Sequence, residues 1–201
     1  MTRRSAEVRL ETLLRTACDV IADRGLANTR TTDVAQAAGV SQALVFYHFS
    51  TKERLLAKAF AYAAEQDLAQ LRAVVDAKTS PREKLKKILK LYAPTGRSKS
   101  WAMWIDGWSE SQRVPELEKM SRNLDLQWKE ALTRVIENGV ATGAFRCADP
   151  TGAAWRILAV IDGLAVQVTV HDRVITRRQL ADWVRLAAAR ELDLNPTDLT
   201  G

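Results

Sequence analysis

The sequence predicts an all-α protein, and three observations carry that expectation. Apolar residues recur every three to four positions along most of the 201 residues, the period of one helix face. Gly and Pro are few, nine and five, and most of them punctuate the periodic segments, as helix ends do. No segment alternates apolar and polar residues convincingly enough to read as a half-buried strand.

The first helix is expected from about Ser5 to Arg24, with Leu10, Leu13, Leu14, Ala17, Val20 and Ile21 as its stripe and Gly25 as a left-handed cap. A short helix follows from about Arg30 to Ala38, with Thr29 as its expected N-cap. Gly39-Val40-Ser41 forms a tight turn, and Ser41 caps a third helix over Gln42 to His48. Ser50-Thr51-Lys52-Glu53 has the spacing of a capping box and opens a long helix to about Ala77. Ser80-Pro81-Arg82-Glu83 repeats that spacing, with Pro at the first helical position. A loop over residues 93–99 leads to a Trp-rich helix ending near Ser111. Pro115 starts a long helix that Gly143 stops, and Asp149-Pro150 opens the next, to about Thr169. Thr176-Arg177-Arg178-Gln179 opens the last, to about Glu191. The tail after Leu194 is expected to fray.

The net charge of +6 suits nucleic acid or an anionic surface, and equally suits an ordinary basic protein. Cys18 and Cys147 have neither zinc nor disulfide-framework spacing, so a reducing cytoplasm is expected. No apolar leader opens the chain, and no stretch reads as a membrane helix; residues 157–170 read as a buried helix interrupted by Asp162. Only His48 and His171 are present. With no phosphate loop, ligand-spaced Cys/His cluster or nucleophile elbow, catalysis, a cofactor and a metal site are not expected.

Two short helices across a Gly-containing turn are the pattern of a helix-turn-helix, whose second helix enters the major groove. Its N-terminal end must be small or polar, and Ser41, Gln42 and Ala43 stand there. A Gln can bond adenine N6 and N7 together, and an Ala can touch a thymine methyl. Phe46 follows on the same helix, and Thr31, Thr32, Tyr47, His48 and Lys52 suit phosphate. Plainer roles stand beside these: Lys52 as a solvated helix start, His48 as a cap or packed ring. Val40, Leu44, Val45 and Phe49 read as core. Arg3 and Arg4 read either as a phosphate-seeking arm or as an idle terminus.

The run Ala38-Gly39-Val40-Ser41, then Tyr47-His48-Phe49, then Lys52-Glu53, resembles the N-terminal pattern of the tetracycline-repressor (TetR) family of bacterial regulators over Ala17 to Phe60. The resemblance implies DNA contacts at Thr31, Ser41, Gln42, Ala43, Phe46, Tyr47, His48 and Lys52. Family members often carry Gly where Ala43 stands and Tyr where Phe46 stands. It also implies a DNA-binding domain over 1–55, an effector-binding and dimerisation domain over 56–201, and double-stranded operator DNA as partner.

In the family the last two long helices form the dimer. Here Ile157, Ile161, Leu164 and Val168 on one, and Leu180, Trp183, Val184 and Ala187 on the other, are the expected interface; the same faces also read as internal core. Trp101, Trp104 and Trp108 share one helical face. With Trp128, Asp106 and Asp162 they offer aromatic faces and carboxylates for a cation. The stripe reads equally as core packing. Trp101–Arg113, Gly143-Ala144-Phe145-Arg146 and Asp162-Gly163-Leu164 resemble the branch containing the choline-responsive betaine regulators, which implies a small-molecule, cationic effector. The expected function is a ligand-relieved repressor binding a palindromic operator as a dimer. The competing reading is a helical small-molecule-binding protein without specific DNA binding.

Overall fold

The computed structural model describes residues 3–94, 99–171 and 174–200, with the side chains of 3–8 and of Lys99 and Ser100 outside the description. Among the described residues there are nine α-helices and no strand: α1 (Arg3–Arg24), α2 (Thr31–Ala37), α3 (Gln42–Phe49), α4 (Lys52–Asp76), α5 (Pro81–Tyr92), α6 (Lys99–Ser111), α7 (Pro115–Ala141), α8 (Pro150–Val170) and α9 (Arg177–Glu191). The protein is all-α, as its periodicity predicts. Most of the expected loop over 93–99 lies outside the described residues.

Two compact units share the chain. The first takes Met1–Gln66 and Lys99–Leu124, the second Asp67–Ser98 and Asp125–Gly201.

In the first unit α1 packs against α2 and α6, and α2 against α3. Leu13, Ala17 and Ile21 of α1 meet the core with Leu26, Val34, Val45 and Phe49, all at 2% exposure or less. Burying each large apolar side chain contributes about 1.5–3 kcal/mol, so the two short helices are held by packing, not by their own propensity. Gly25 takes φ +79° at the end of α1, the left-handed cap its position predicts.

Two helix starts differ from expectation. Thr29 does not cap α2; it is buried, and its hydroxyl donates to the Gly25 carbonyl at 2.8 Å. The N-cap is Arg30, whose N–H is taken by the Asp33 carboxylate at 3.0 Å. The box expected at Ser50 does not form, and the cap of α4 falls one residue on, at Thr51. Thr51 Oγ1 accepts the Arg54 N–H at 3.2 Å, while Ser50 ends α3 at φ 65°. The cause is the closeness of the two helices: Ser50 must give its N–H to the Phe46 carbonyl, and Thr51 gives its own to Phe49, both at 2.7 Å.

In the second unit α8 packs along α9. Ala153, Ala154 and Ala165 of α8 and Ala188 and Ala189 of α9 are buried with Ile157, Leu158, Ile161, Leu180 and Val184; small side chains let two helices approach closely. Arg156 grips Glu191 with two hydrogen bonds, 2.9 and 2.7 Å. The box at Thr176 and the Asp149 cap stand where their spacing predicts, and Ser80 caps α5 by accepting the Glu83 N–H at 3.3 Å. The tail does not fray. Asn195 caps a short 3-10 helix, Pro196–Leu199, that buries Leu199 and pairs Asp198 with Arg82 at 3.1 Å.

Contrary to expectation, α8 is long and apolar enough to cross a membrane by length and composition, with a mean hydropathy of 1.5 over its most apolar window. Its apolar side is nonetheless the core face packed on α9.

Candidate nucleic-acid interface and effector residues

Helix α3 packs on α2 with its two sides sharply divided in burial. Val45 and Phe49 face inward, at 0% and 2% exposure, and Val40 and Leu44 are half-buried. Ser41, Gln42, Ala43, Phe46 and Tyr47 are exposed, Tyr47 at 81% and Phe46 at 42%. Two adjacent aromatic rings thus stand in solvent on a short helix anchored by Val45 and Phe49.

The polar groups around them are already organised. The Ser41 hydroxyl accepts the Leu44 N–H at 3.3 Å, holding the start of α3. Gln42 Nε2 donates to Thr31 Oγ1 at 3.1 Å, so two expected DNA contacts hold each other. Thr31, at the start of α2, is 9% exposed, whereas Thr32 beside it is exposed. The half-buried His48 ring meets Tyr47 edge-on, centroids 5.3 Å apart. Lys52 donates to the Ala27 carbonyl at 3.1 Å, tying the start of α4 to the α1–α2 turn. The structure thus brings Thr31 to Gln42 and Tyr47 to His48, with Thr32, Ala43 and Phe46 on the same two helices and Ser41 capping the second. The side chains of Arg3 and Arg4 lie outside the described residues.

The expected effector residues fall into two groups, one in each compact unit. In the first, Trp101 meets Trp108 edge to face at 5.9 Å and Phe60 meets Trp104 edge to face at 4.8 Å, while Trp104 and Trp108 are tilted to each other at 5.9 Å. Trp101 is buried, Trp104 and Trp108 half-buried. Asp106 faces elsewhere: its carboxylate accepts the Leu26 N–H at 3.2 Å, closing the turn after α1.

In the second unit, Trp128 packs edge-on against Tyr92 at 4.7 Å, and Tyr92 Oη donates to Asp162 Oδ1 at 2.7 Å. Lys129, 6% exposed, pairs with Asp125 at 2.5 Å and lies 4.4 Å from the Trp155 ring centroid. Burial pushes Asp162 up from 3.8 to about 6, against the opposing pull of Tyr92 and Lys129. Burial and the Asp162 charge hold the Tyr92 phenol well above its usual value. The sequence reading passed over Tyr92 and Lys129. By spacing alone Tyr92 is indistinguishable from the apolar face of α5, and the only mark on Lys129 is Asp125 four residues before it.

Of the expected dimer residues, Ile157, Ile161, Leu180 and Val184 are at 2% exposure or less inside this chain's own core. Leu164, Val168 and Ala187 are half-buried and Trp183 is 44% exposed. Trp155, Val160 and Leu186, which the sequence reading did not assign to an interface, are also exposed on α8 and α9.

Comparison with known proteins places both halves. Residues 13–59 match the model for bacterial regulatory proteins of the tetR family, and residues 81–193 that for the C-terminal domain of BetI-type transcriptional repressors. The chain is 28% identical over 202 residues to an HTH-type transcriptional regulator BetI 1 of Chromohalobacter salexigens, covering 95% of this chain and 96% of that protein. It is 26% identical over 142 residues to an HTH-type transcriptional repressor KstR2 of Mycolicibacterium smegmatis, covering 69% and 68% of the two chains. Among solved structures it resembles a protein of Saccharomonospora viridis, described as a transcriptional regulator and crystallised in complex with choline. That likeness has a TM-score of 0.83 at 27% identity, over 93% of this chain and 98% of the other.

Proposed function

The chain belongs to the tetR family of bacterial regulatory proteins, with a C-terminal domain of the BetI repressor type, and from that premise we propose a repressor that a small cation releases from a palindromic operator. The observation that carries the reading is the exposed end of α3, where Tyr47 and Phe46 stand beside Ser41, Gln42 and Ala43.

On this reading Gln42 leaves Thr31 to bond an adenine edge, and Ala43 admits the base pair next to it. Phe46 rests on sugar or a thymine methyl; it has no hydroxyl to donate. Thr31, Thr32, Tyr47, His48 and Lys52 take phosphate, which fixes register without reading sequence. Residues 1–55 read DNA and 56–201 hold the effector and the dimer. On this reading the protein acts in the cytoplasm as a regulator.

The second subunit is held on the α8–α9 face through Trp183 and the half-buried Leu164, Val168 and Ala187, together with Trp155, Val160 and Leu186. The deeply buried Ile157, Ile161, Leu180 and Val184 support that face from behind. A symmetric dimer presents two α3 helices, and major-groove half-sites repeat about every 34–36 Å. A change in separation therefore costs affinity.

The effector residues are the Trp101, Trp104 and Trp108 group and the Trp128–Asp162 group, with Tyr92 added to the second. Asp106 has a structural duty and is the weakest member. With Asp162, Asp125 and Lys129 all ionised, that second group carries one net negative charge, and aromatic faces flank it; both favour an ammonium ion. Choline, the ligand in the S. viridis structure, is the probe to use. Fluorescence anisotropy of a selected operator duplex should fall as choline is added, and Asp162→Asn should need far more choline. Choline-insensitive binding by the wild type would reject the cationic effector while leaving the DNA reading intact.

A further inference from the structure

We infer that a groove in the first unit, separate from the effector residues, binds a small amphipathic carboxylate beside the recognition helix. The groove has a volume of about 580 Å³ and is lined by the end of α3, the first turns of α4 and the first turns of α7. That volume lies in the range of small-molecule sites.

Its lining has two chemistries. The half-buried Met120 and the aliphatic stems of Arg54, Lys58 and Lys119 supply the accessible apolar surface, over the buried Phe49 and Ala57. Arg54, Lys58 and Lys119 supply three exposed cations against a single carboxylate, Glu116. None of these three cations has a carboxylate within ion-pair distance among the described residues. Lys58 is oriented toward the apolar part, its ammonium 5.7 Å from the Phe49 ring centroid. Unpaired cations around an apolar lining are complementary to a carboxylate with a hydrocarbon or aryl body. Duplex DNA fits less well, because a phosphate backbone gains nothing from the apolar lining and meets Glu116.

His48 and Ser50 also line the groove. A bound anion therefore sits next to the residues read above as facing phosphate, and repels the duplex. This consequence rests on the DNA reading; the binding itself does not. The site gives the regulator a second, anionic input, acting at the reading helix itself.

Isothermal titration calorimetry of the full chain without DNA tests the binding, with octanoate, octanol and inorganic phosphate as probes. Octanoate should bind about tenfold more tightly than either of the others, since it alone uses both chemistries. Lys58→Ala with Lys119→Ala should weaken octanoate by about tenfold or more and leave choline binding unchanged. Both lysines are exposed, so the variant keeps its fold, which circular dichroism checks. Octanoate that binds equally to the double variant, or that saturating choline displaces, overturns the site. So does phosphate binding as tightly as octanoate. A double variant that loses operator affinity while the wild type ignores octanoate makes the groove a DNA contact instead.

Discussion

At the scale of single residues, the divided duties of α3 give separable predictions. Tyr47 is exposed on the reading surface and is assigned to phosphate, so Tyr47→Ala should weaken binding to every duplex to a similar degree. Gln42 is assigned to a base edge, so Gln42→Ala should cost about 1–3 kcal/mol on the preferred site and relax preference at one position. Competition binding against single-base variants of the site separates the two; equal losses on all sequences for both would contradict the assignment. Asp162 offers a pH test. Its folded value of about 6 stands above the ordinary 3.8, so between these values the native state holds a proton that the unfolded chain releases. Stability from this group is therefore full below about pH 4, falls as pH rises through 6, and is lower by about 3 kcal/mol at neutrality. Asp162→Asn should flatten that part of the urea-stability profile. Choline binding should run the other way, strengthening from pH 5 to 7 as the carboxylate ionises.

At the scale of elements, two contacts decide how far the helices are interlocked. A Cβ at Gly139 of α7 would lie 2.0 Å from Phe145, whose ring is buried. Gly139→Ala should therefore destabilise the chain by about 1–3 kcal/mol, despite the better helix propensity of Ala. Leu199 is 4% exposed at the end of the chain, and Leu199→Ala should cost about 2–5 kcal/mol in chemical unfolding. An idle tail would lose nothing. The sequence made the helices legible because period, cap and stop agreed at Gly25, Ser41, Ser80, Asp149 and Thr176. It misplaced starts at Thr29 and Ser50, where a competing partner, the Gly25 carbonyl or the end of α3, took the expected capping residue. The tail departs from expectation because Leu199 finds a packing surface that the sequence does not show.

At the scale of the whole molecule, the arrangement of the residues proposed to read DNA was more legible than that of the proposed effector residues. The former lies in one stretch, residues 31–52, where local spacing specifies the geometry. The latter joins residues far apart in sequence: Tyr92 to Asp162 is a contact across 70 positions, and no local pattern announces it. The aromatic stripe of α6 was visible, but Asp106 beside it is taken by the Leu26 backbone, a use that spacing alone cannot distinguish from ligand binding. The α8–α9 face shows the same limit. Its apolar period marks Ile157 and Trp183 alike, and only packing separates the core residue from the exposed one. The net charge of +6 adds a molecule-wide expectation: DNA affinity should fall steeply with salt as phosphate counterions are retained.

The central claim is that α2 and α3 of a symmetric dimer read a defined duplex sequence. In vitro selection from random duplex DNA by the purified chain, with Tyr47→Ala alongside, tests it most directly. The account predicts that the wild type enriches a palindromic motif with half-sites about one helical turn apart, and that Tyr47→Ala enriches none. No enrichment by the choline-free wild type even at low salt, where phosphate binding is strongest, would contradict it and leave a helical protein that binds a small molecule without reading DNA.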